Sequence, residues 1–147
     1  MNFENLEIII ETEKNKRLAK SYRKMQALLR ALSKKEIPSG IKTIINEDIK
    51  LLNSFKGSEK EMNRNLKKTN TKILALVKKE LKLVPKNYYL SLGAGIGLVF
   101  GTALGTSFIS FLNNSTAMGT SLGLIFGAAI GSMLDKRAEK DGKQLDL

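Results

Sequence analysis

The chain has 147 residues, with 25 Lys and Arg against 14 Asp and Glu, and its formal net charge is +11 at pH 7. It contains no Cys and no His, which excludes disulfides, thiolate nucleophiles, Cys or His metal sites and a base that titrates near neutrality. Glu47-Asp48 is the only pair of adjacent carboxylates, and no phosphate-binding loop is present. We therefore predict that the protein is not an enzyme and holds no cofactor and no metal.

The first segment, residues 1–86, is basic and carries the whole charge excess, with 21 basic and 10 acidic side chains. Apolar residues recur at helical spacing over 3–35 and 39–55, and again after Ser58, whose spacing to Glu61 is that of a capping box. The predicted core positions are Leu18, Tyr22, Met25, Leu28, Leu29, Leu32, Ile41, Ile44, Ile45, Ile49, Leu52, Phe55, Met62, Leu66, Thr69, Ile73, Leu76 and Leu83. We predict an all-α fold here, a cytoplasmic domain of two or three amphipathic helices without strands. A three-helix bundle and a helical hairpin that associates between subunits, as in a coiled coil, both fit.

The second segment, residues 87–134, contains no charged residue. It is long enough for two membrane spans, because about 20 helical residues cross the hydrocarbon core. A polar turn at residues 113–116 divides it into predicted spans at about 87–112 and 116–134. Residues 135–147 then form a short charged tail. A glycine-rich core hairpin of a soluble protein is the alternative.

Basic residues flank both ends of the uncharged segment, whereas the turn inside it has no charge. The positive-inside rule then places both termini in the cytoplasm, in a multi-pass protein of the cell (inner) membrane. Lysines and aromatic residues at the two ends are suited to contact lipid headgroups. The predicted headgroup residues are Lys78, Lys79, Lys82, Lys86, Tyr88, Tyr89, Lys136 and Arg137.

Glycine recurs at every fourth position in both predicted spans, which places the glycines on one face of each helix. The predicted helix-packing residues are Gly93, Gly97, Gly101 and Gly105 in the first span and Gly119, Gly123, Gly127 and Gly131 in the second. A hairpin symmetric about Leu112 would set each glycine of one helix opposite a glycine of the other. Packing against a neighbouring subunit is the alternative, and the spacing leaves both open.

The aromatic entry Tyr88-Tyr89, the two glycine series and the charged exit at 134–143 make residues 87–147 resemble the glycine-zipper hairpins of small bacterial membrane proteins. The resemblance implies a membrane hairpin that packs on itself. It implies no activity, and it does not extend to the basic segment.

Two functional hypotheses follow. The first is a small integral membrane protein that self-associates through its glycine-zipper helices, as an oligomeric pore or a membrane-perturbing assembly with hydroxyl side chains along a polar path. The second is a non-enzymatic membrane-anchored adaptor whose basic domain binds a protein partner or anionic lipid. The expected partners are membrane lipid, further copies of the chain and a cytoplasmic protein. Nucleic acid is disfavoured, because no nucleic-acid-binding motif is present and nearby glutamates weaken the basic cluster at 14–24.

Overall fold

The computed structural model describes residues 3, 6, 16–108 and 115–147. This part of the chain is mostly helical. Its elements are α1 (Lys16–Ser33), α2 (Ser39–Asn53), α3 (Glu59–Leu81), β1 (Val84–Pro85), α4 (Tyr88–Phe108), α5 (Ser115–Lys140) and β2 (Gln144–Leu145). Two compact units result, unit 1 from Met1–Val84 with Leu145–Leu147 and unit 2 from Pro85–Gln144. The first half of the predicted turn at 113–116 and most of the predicted helix before Lys16 lie outside the described residues. The second half of that predicted turn is wrong, because Ser115 and Thr116 already belong to α5.

Unit 1 is built around α3, against which both α1 and α2 pack. Its core contains apolar side chains from all three helices, including Met25, Leu28 and Leu32 of α1, Ile45 and Ile49 of α2, and Leu66 and Ile73 of α3. Two predicted details differ. Ile44 is 40% exposed, because a helix turns about 100° per residue and only one of two neighbouring isoleucines can face the core. Val77 is fully buried because it lies one turn after Ile73 on the same face.

The capping box at the start of α3 is confirmed. The Ser58 hydroxyl accepts from the Glu61 amide, and the Ser58 amide donates to the Glu61 carboxylate at 3.0 Å. The Ser58 hydroxyl also donates to that carboxylate at 2.7 Å. This bond, together with the one from the Ser58 amide, holds the pKa of Glu61 below its ordinary value of 4.5, since both favour the ionised carboxylate. At the other end α3 stops at Lys82, which adopts a left-handed conformation with φ of 55°, as helix C-termini commonly do.

The prediction that strands are absent is wrong at one point, because β1 and β2 form a two-stranded sheet. The chain reaches β2 because α5 continues past residue 134 to Lys140 and ends in a Schellman motif. Gly142 takes a φ of +67°, its amide donates to the Glu139 carbonyl, and the Lys143 amide donates to the Ala138 carbonyl. Residues 141–147 are therefore more than a solvated charged tail.

Leu145 is the residue that connects this tail to unit 1. It is fully buried and belongs to the same core cluster as Leu83 and Val77. Val84 is fully buried as well. Fully buried residues therefore come immediately before and immediately after the segment Pro85–Gln144 that forms unit 2.

We expect Leu145→Ala to destabilise unit 1 by about 2–4 kcal/mol, the usual cost of a leucine-sized cavity in a core. The measurement is urea unfolding of the full chain in detergent micelles, followed by circular dichroism. Leu147→Ala is the matched control, because Leu147 is 53% exposed. Equal unfolding midpoints for the two variants would show that the tail is not part of the core.

Candidate functional site: the glycine faces of the helical hairpin

Unit 2 consists of α4 and α5, and both helices are long and apolar enough to cross a membrane. The 21 residues of α4 extend for about 31 Å, which matches a hydrocarbon core of about 30 Å. Only 11% of the apolar window in each helix is buried. The core helix of a soluble protein would be mostly buried, so α4 and α5 differ from that class.

The two helices pack through the glycines, with backbone lying directly against backbone. The glycine faces are Gly93, Gly97, Gly101 and Gly105 on α4 and Gly119, Gly123, Gly127 and Gly131 on α5. A Cβ at Gly123 would approach the Gly97 oxygen and the Gly101 Cα to under 3.0 Å, closer than real Cβ atoms come. The same holds for a Cβ at Gly119 against the Gly101 oxygen and the Gly105 Cα. The space between the helices therefore holds no side chain along these faces.

The register of this contact follows the glycine spacing. A Cβ at Gly93, Gly97 or Gly101 would lie against the Cα of Gly131, Gly127 or Gly123 respectively. These are the pairs that a hairpin symmetric about Leu112 requires. Gly95, which is out of step with the series, has open space around the position of a Cβ. In this structure the glycine faces are thus paired within one chain.

Four hydroxyl groups of unit 2, those of Thr102, Thr106, Thr120 and Ser121, make hydrogen bonds along the helices. The Thr106 and Ser121 hydroxyls each donate to a backbone carbonyl three or four residues earlier, and the Thr120 hydroxyl lies 2.8 Å from the Thr116 carbonyl. The Thr102 hydroxyl lies 2.7 Å from the Leu98 carbonyl and 2.9 Å from the Thr120 hydroxyl. Since each hydroxyl has one proton, one of this pair donates to its own helix and the other donates across the hairpin.

Asp135 of α5 caps the first turn of α4. Its carboxylate is buried and accepts from the Tyr89 amide at 3.2 Å and the Leu90 amide at 2.8 Å. The first amides of a helix have no partner within the helix, and the positive end of the helix dipole favours a negative charge there. The Asp135 carbonyl in turn accepts from the Gln144 side chain at 2.8 Å. One carboxylate therefore joins the open ends of both helices.

The residues predicted to contact lipid headgroups are divided between the two units. Lys78, Lys79 and Lys82 belong to the exposed end of α3 in unit 1. Lys86 and Lys136 line a cavity of about 150 Å³ at the open end of the hairpin, together with Asp135 and Glu139. The two tyrosine rings at the start of α4 lie edge to face, with centroids 5.1 Å apart, and Arg137 is exposed on α5. Only some of the predicted headgroup residues, among them Lys86 and Lys136, therefore lie together at the open end of the hairpin.

Two polar features of unit 1 add to this description. The buried Asp48 carboxylate of α2 accepts from the Lys72 ammonium of α3 at 2.6 Å and forms a salt bridge between the two helices. Ser21 and Asn63 join α1 to α3 through a 2.6 Å hydrogen bond. Within 16–108 and 115–147, no three acidic residues are grouped so that they could hold a metal ion.

No protein-family model, curated protein or solved structure matches this chain.

We expect Gly123→Ala to push α4 and α5 apart by about 1–2 Å, because a methyl group needs about 3.5–4 Å to neighbouring carbon atoms. Alanine also favours a helix over glycine by about 1 kcal/mol, so Gly95→Ala is the matched control that gains this preference without the steric clash. The measurement is the distance between spin labels on cysteines placed at Val99 and Ile125, in a chain that has no cysteine of its own. An unchanged distance in Gly123→Ala would contradict the backbone contact.

We expect Asp135→Ala to loosen the first turn of α4 at a cost of about 0.5–2 kcal/mol, the usual value of a lost helix cap. The amide protons of Tyr89 and Leu90 should then exchange about 2- to 30-fold faster, as nuclear magnetic resonance in micelles can measure. Asp135→Asn should lie between, since one acceptor oxygen remains. Asp141→Ala is the control, because that carboxylate contacts the exposed Lys143 ammonium. Unchanged exchange in Asp135→Ala would exclude the cap.

Proposed function

We propose that the chain is a non-enzymatic integral membrane protein in which the α4–α5 hairpin anchors the basic unit 1 at the cytoplasmic face of the membrane. Unit 1 then serves as an adaptor for an anionic or protein partner. The observation that carries this proposal is the inverted exposure of unit 2. The glycine faces lie between the helices, while Phe100 and Phe126 are each 65% exposed.

This exposure would be unfavourable in water. Burial of apolar surface contributes about 25 cal/mol per Å², and soluble monomers rarely expose large continuous apolar patches. In a lipid bilayer the same side chains face hydrocarbon, and helix–helix contact favours small residues that let backbones approach closely. A bilayer thus accounts for both the outward phenylalanines and the inward glycines.

The distribution of charge supports the orientation. Lys82 and Lys86 precede α4, and Lys136 and Arg137 are near the end of α5. Basic residues close to the ends of membrane helices favour the cytoplasmic side. Both termini and unit 1 are cytoplasmic in this arrangement, as in the glycine-zipper hairpins that the sequence resembles.

Single cysteines test the topology, because the chain has none. We expect a membrane-impermeant maleimide to label Asn114→Cys from outside intact cells. Lys56→Cys in unit 1 should react only after the membrane is inverted, and Val99→Cys should react in neither case. Labelling of residues 56 and 114 from the same side, or release of the chain by sodium carbonate, would contradict the proposal.

Self-association of the hairpin is the second candidate, and one groove favours it. An apolar groove of about 590 Å³ follows the glycine faces along one side of unit 2. Its walls carry the same residue types on both helices: Leu92, Ile96, Phe100 and Leu104 on α4 and Leu134, Ile130, Phe126 and Leu122 on α5. Glycines line the same groove, so a helix of a second copy would meet small residues between two symmetric rows of large ones.

Oxidative crosslinking of the full chain in membranes tests this candidate. We expect Phe100→Cys, inside the groove, to form a disulfide-linked dimer. Val99→Cys should not, although Val99 is similarly exposed at 64% and does not line the groove. Equal crosslinking at both positions would indicate random collision of copies and would exclude the groove as the interface.

A further inference from the structure

The α1–α3 cleft is a pocket of about 430 Å³ within unit 1 that the membrane anchor does not use. Every ionisable side chain described in its lining is cationic: Arg17, Lys20 and Lys24 from α1 and Lys67 from α3. The remaining lining residues are Ser21, Leu66, Asn70 and Thr71. The three cations of α1 are spaced by three and four residues, so they share one face of the helix.

These charges repel one another. Like charges four residues apart on a helix are destabilising, as for Lys20 and Lys24. Among the described residues, no ion-pair partner is present for Lys20, Lys24 or Lys67. An anion in the cleft would relieve this repulsion and would receive charge-assisted hydrogen bonds from two helices at once.

Asn70 supplies an independent indication. Its carboxamide oxygen is buried and has no hydrogen-bond partner among the described residues, and a buried polar atom without a partner is unfavourable. The two orientations of a carboxamide have nearly the same shape, and the hydrogen-bond network decides between them. With an anion bound, the turned amide would donate N–H groups to it. The neighbouring Thr71 hydroxyl already donates to the Lys67 carbonyl at 3.0 Å.

We propose that the α1–α3 cleft binds a phosphate group, held by Arg17, Lys20, Lys24 and Lys67 with Asn70 as a neutral donor. Phosphate matches the site because it carries up to two negative charges and several acceptor oxygens, and arginine and lysine are the residues that commonly bind it. This inference rests on the proposed function and names the anionic partner of unit 1. The group is either free phosphate or the headgroup of an anionic lipid.

Isothermal titration calorimetry of the full chain in uncharged detergent micelles tests the site, at constant ionic strength with chloride as the replaced anion. The probe is inorganic phosphate. Lys20→Gln/Lys67→Gln removes one charge from each wall of the cleft, and we expect about tenfold or more weaker binding, since hydrogen bonds to charged groups are strong. Lys56→Gln/Lys60→Gln is the matched control, because it removes the same charge from exposed positions outside the cleft.

An equal loss of phosphate affinity in the two double variants would show that net charge alone attracts phosphate, and this result would overturn the proposed site. Asn70→Leu adds a second test, because it keeps the charge. Weaker binding in that variant supports the proposed donor, and unchanged binding excludes Asn70 from the site. Lack of phosphate binding by a chain that still labels as a membrane hairpin would overturn this inference and leave the proposed anchor intact.

Short-chain phosphatidic acid, added to the same micelles, identifies the source of the phosphate. If phosphatidic acid binds more tightly than inorganic phosphate, and the Lys20→Gln/Lys67→Gln variant weakens its binding in the same way, the cleft is assigned to a lipid headgroup. Equal or weaker binding of the lipid assigns it to free phosphate. Single-stranded DNA is the third probe, and binding tighter than either phosphate compound with that same dependence would replace the proposal with nucleic acid.

Discussion

The backbone contact between α4 and α5 determines the rest of unit 2. Because glycine has no side chain, the helices meet through Cα and carbonyl atoms, as at Gly97 and Gly123, where many close contacts of small individual energy accumulate. Large apolar side chains such as those of Phe100, Phe126 and Ile130 are then displaced to the outside of the pair. In water this arrangement would combine the poor helix propensity of glycine with exposed hydrocarbon. In a bilayer the backbone must be helical and the exposed side chains are solvated by lipid, so one environment resolves both problems.

The same backbone contact also aligns the polar groups at the open end of the hairpin. Glycines at every fourth position allow only shifts of a whole turn, and the observed register sets Asp135 opposite Tyr89, where its carboxylate reaches two free amides. A polar interaction thus lies next to an apolar interface and reinforces the same alignment. The Gln144 side chain donates to the Asp135 carbonyl and so extends this set of hydrogen bonds towards the end of the chain. A shift of one turn would remove the cap from α4 while leaving glycine against glycine, so Asp135 distinguishes between registers that the glycines alone would accept.

Local patterns in the sequence predicted the helices of unit 1 and the register of unit 2, because helical spacing and capping depend on residues within about one turn. The capping box of Ser58 and Glu61 is an example. Contacts between residues that are far apart in the sequence were harder to predict. A hairpin symmetric about Leu112 already places Asp135 opposite Tyr89. The helix cap was nevertheless not predicted, because Asp135 directly follows the uncharged segment and resembles a residue of an ordinary charged tail. Leu145 had no such indication, since a two-residue strand shows no periodicity and its burial depends on a core formed more than sixty positions earlier.

The hydroxyl groups bear on what unit 2 can do alone. A polar path through a membrane requires side chains that are free to bind water or ions. The described hydroxyls of Thr102, Thr106, Thr120 and Ser121 are instead bonded to carbonyls of their own helices or to one another. These four hydroxyls are therefore already engaged within a single hairpin. The four cationic side chains of the α1–α3 cleft and the unpartnered Asn70 oxygen lie in unit 1, so in the proposed function unit 1 binds the ligand and the hairpin anchors unit 1 to the membrane.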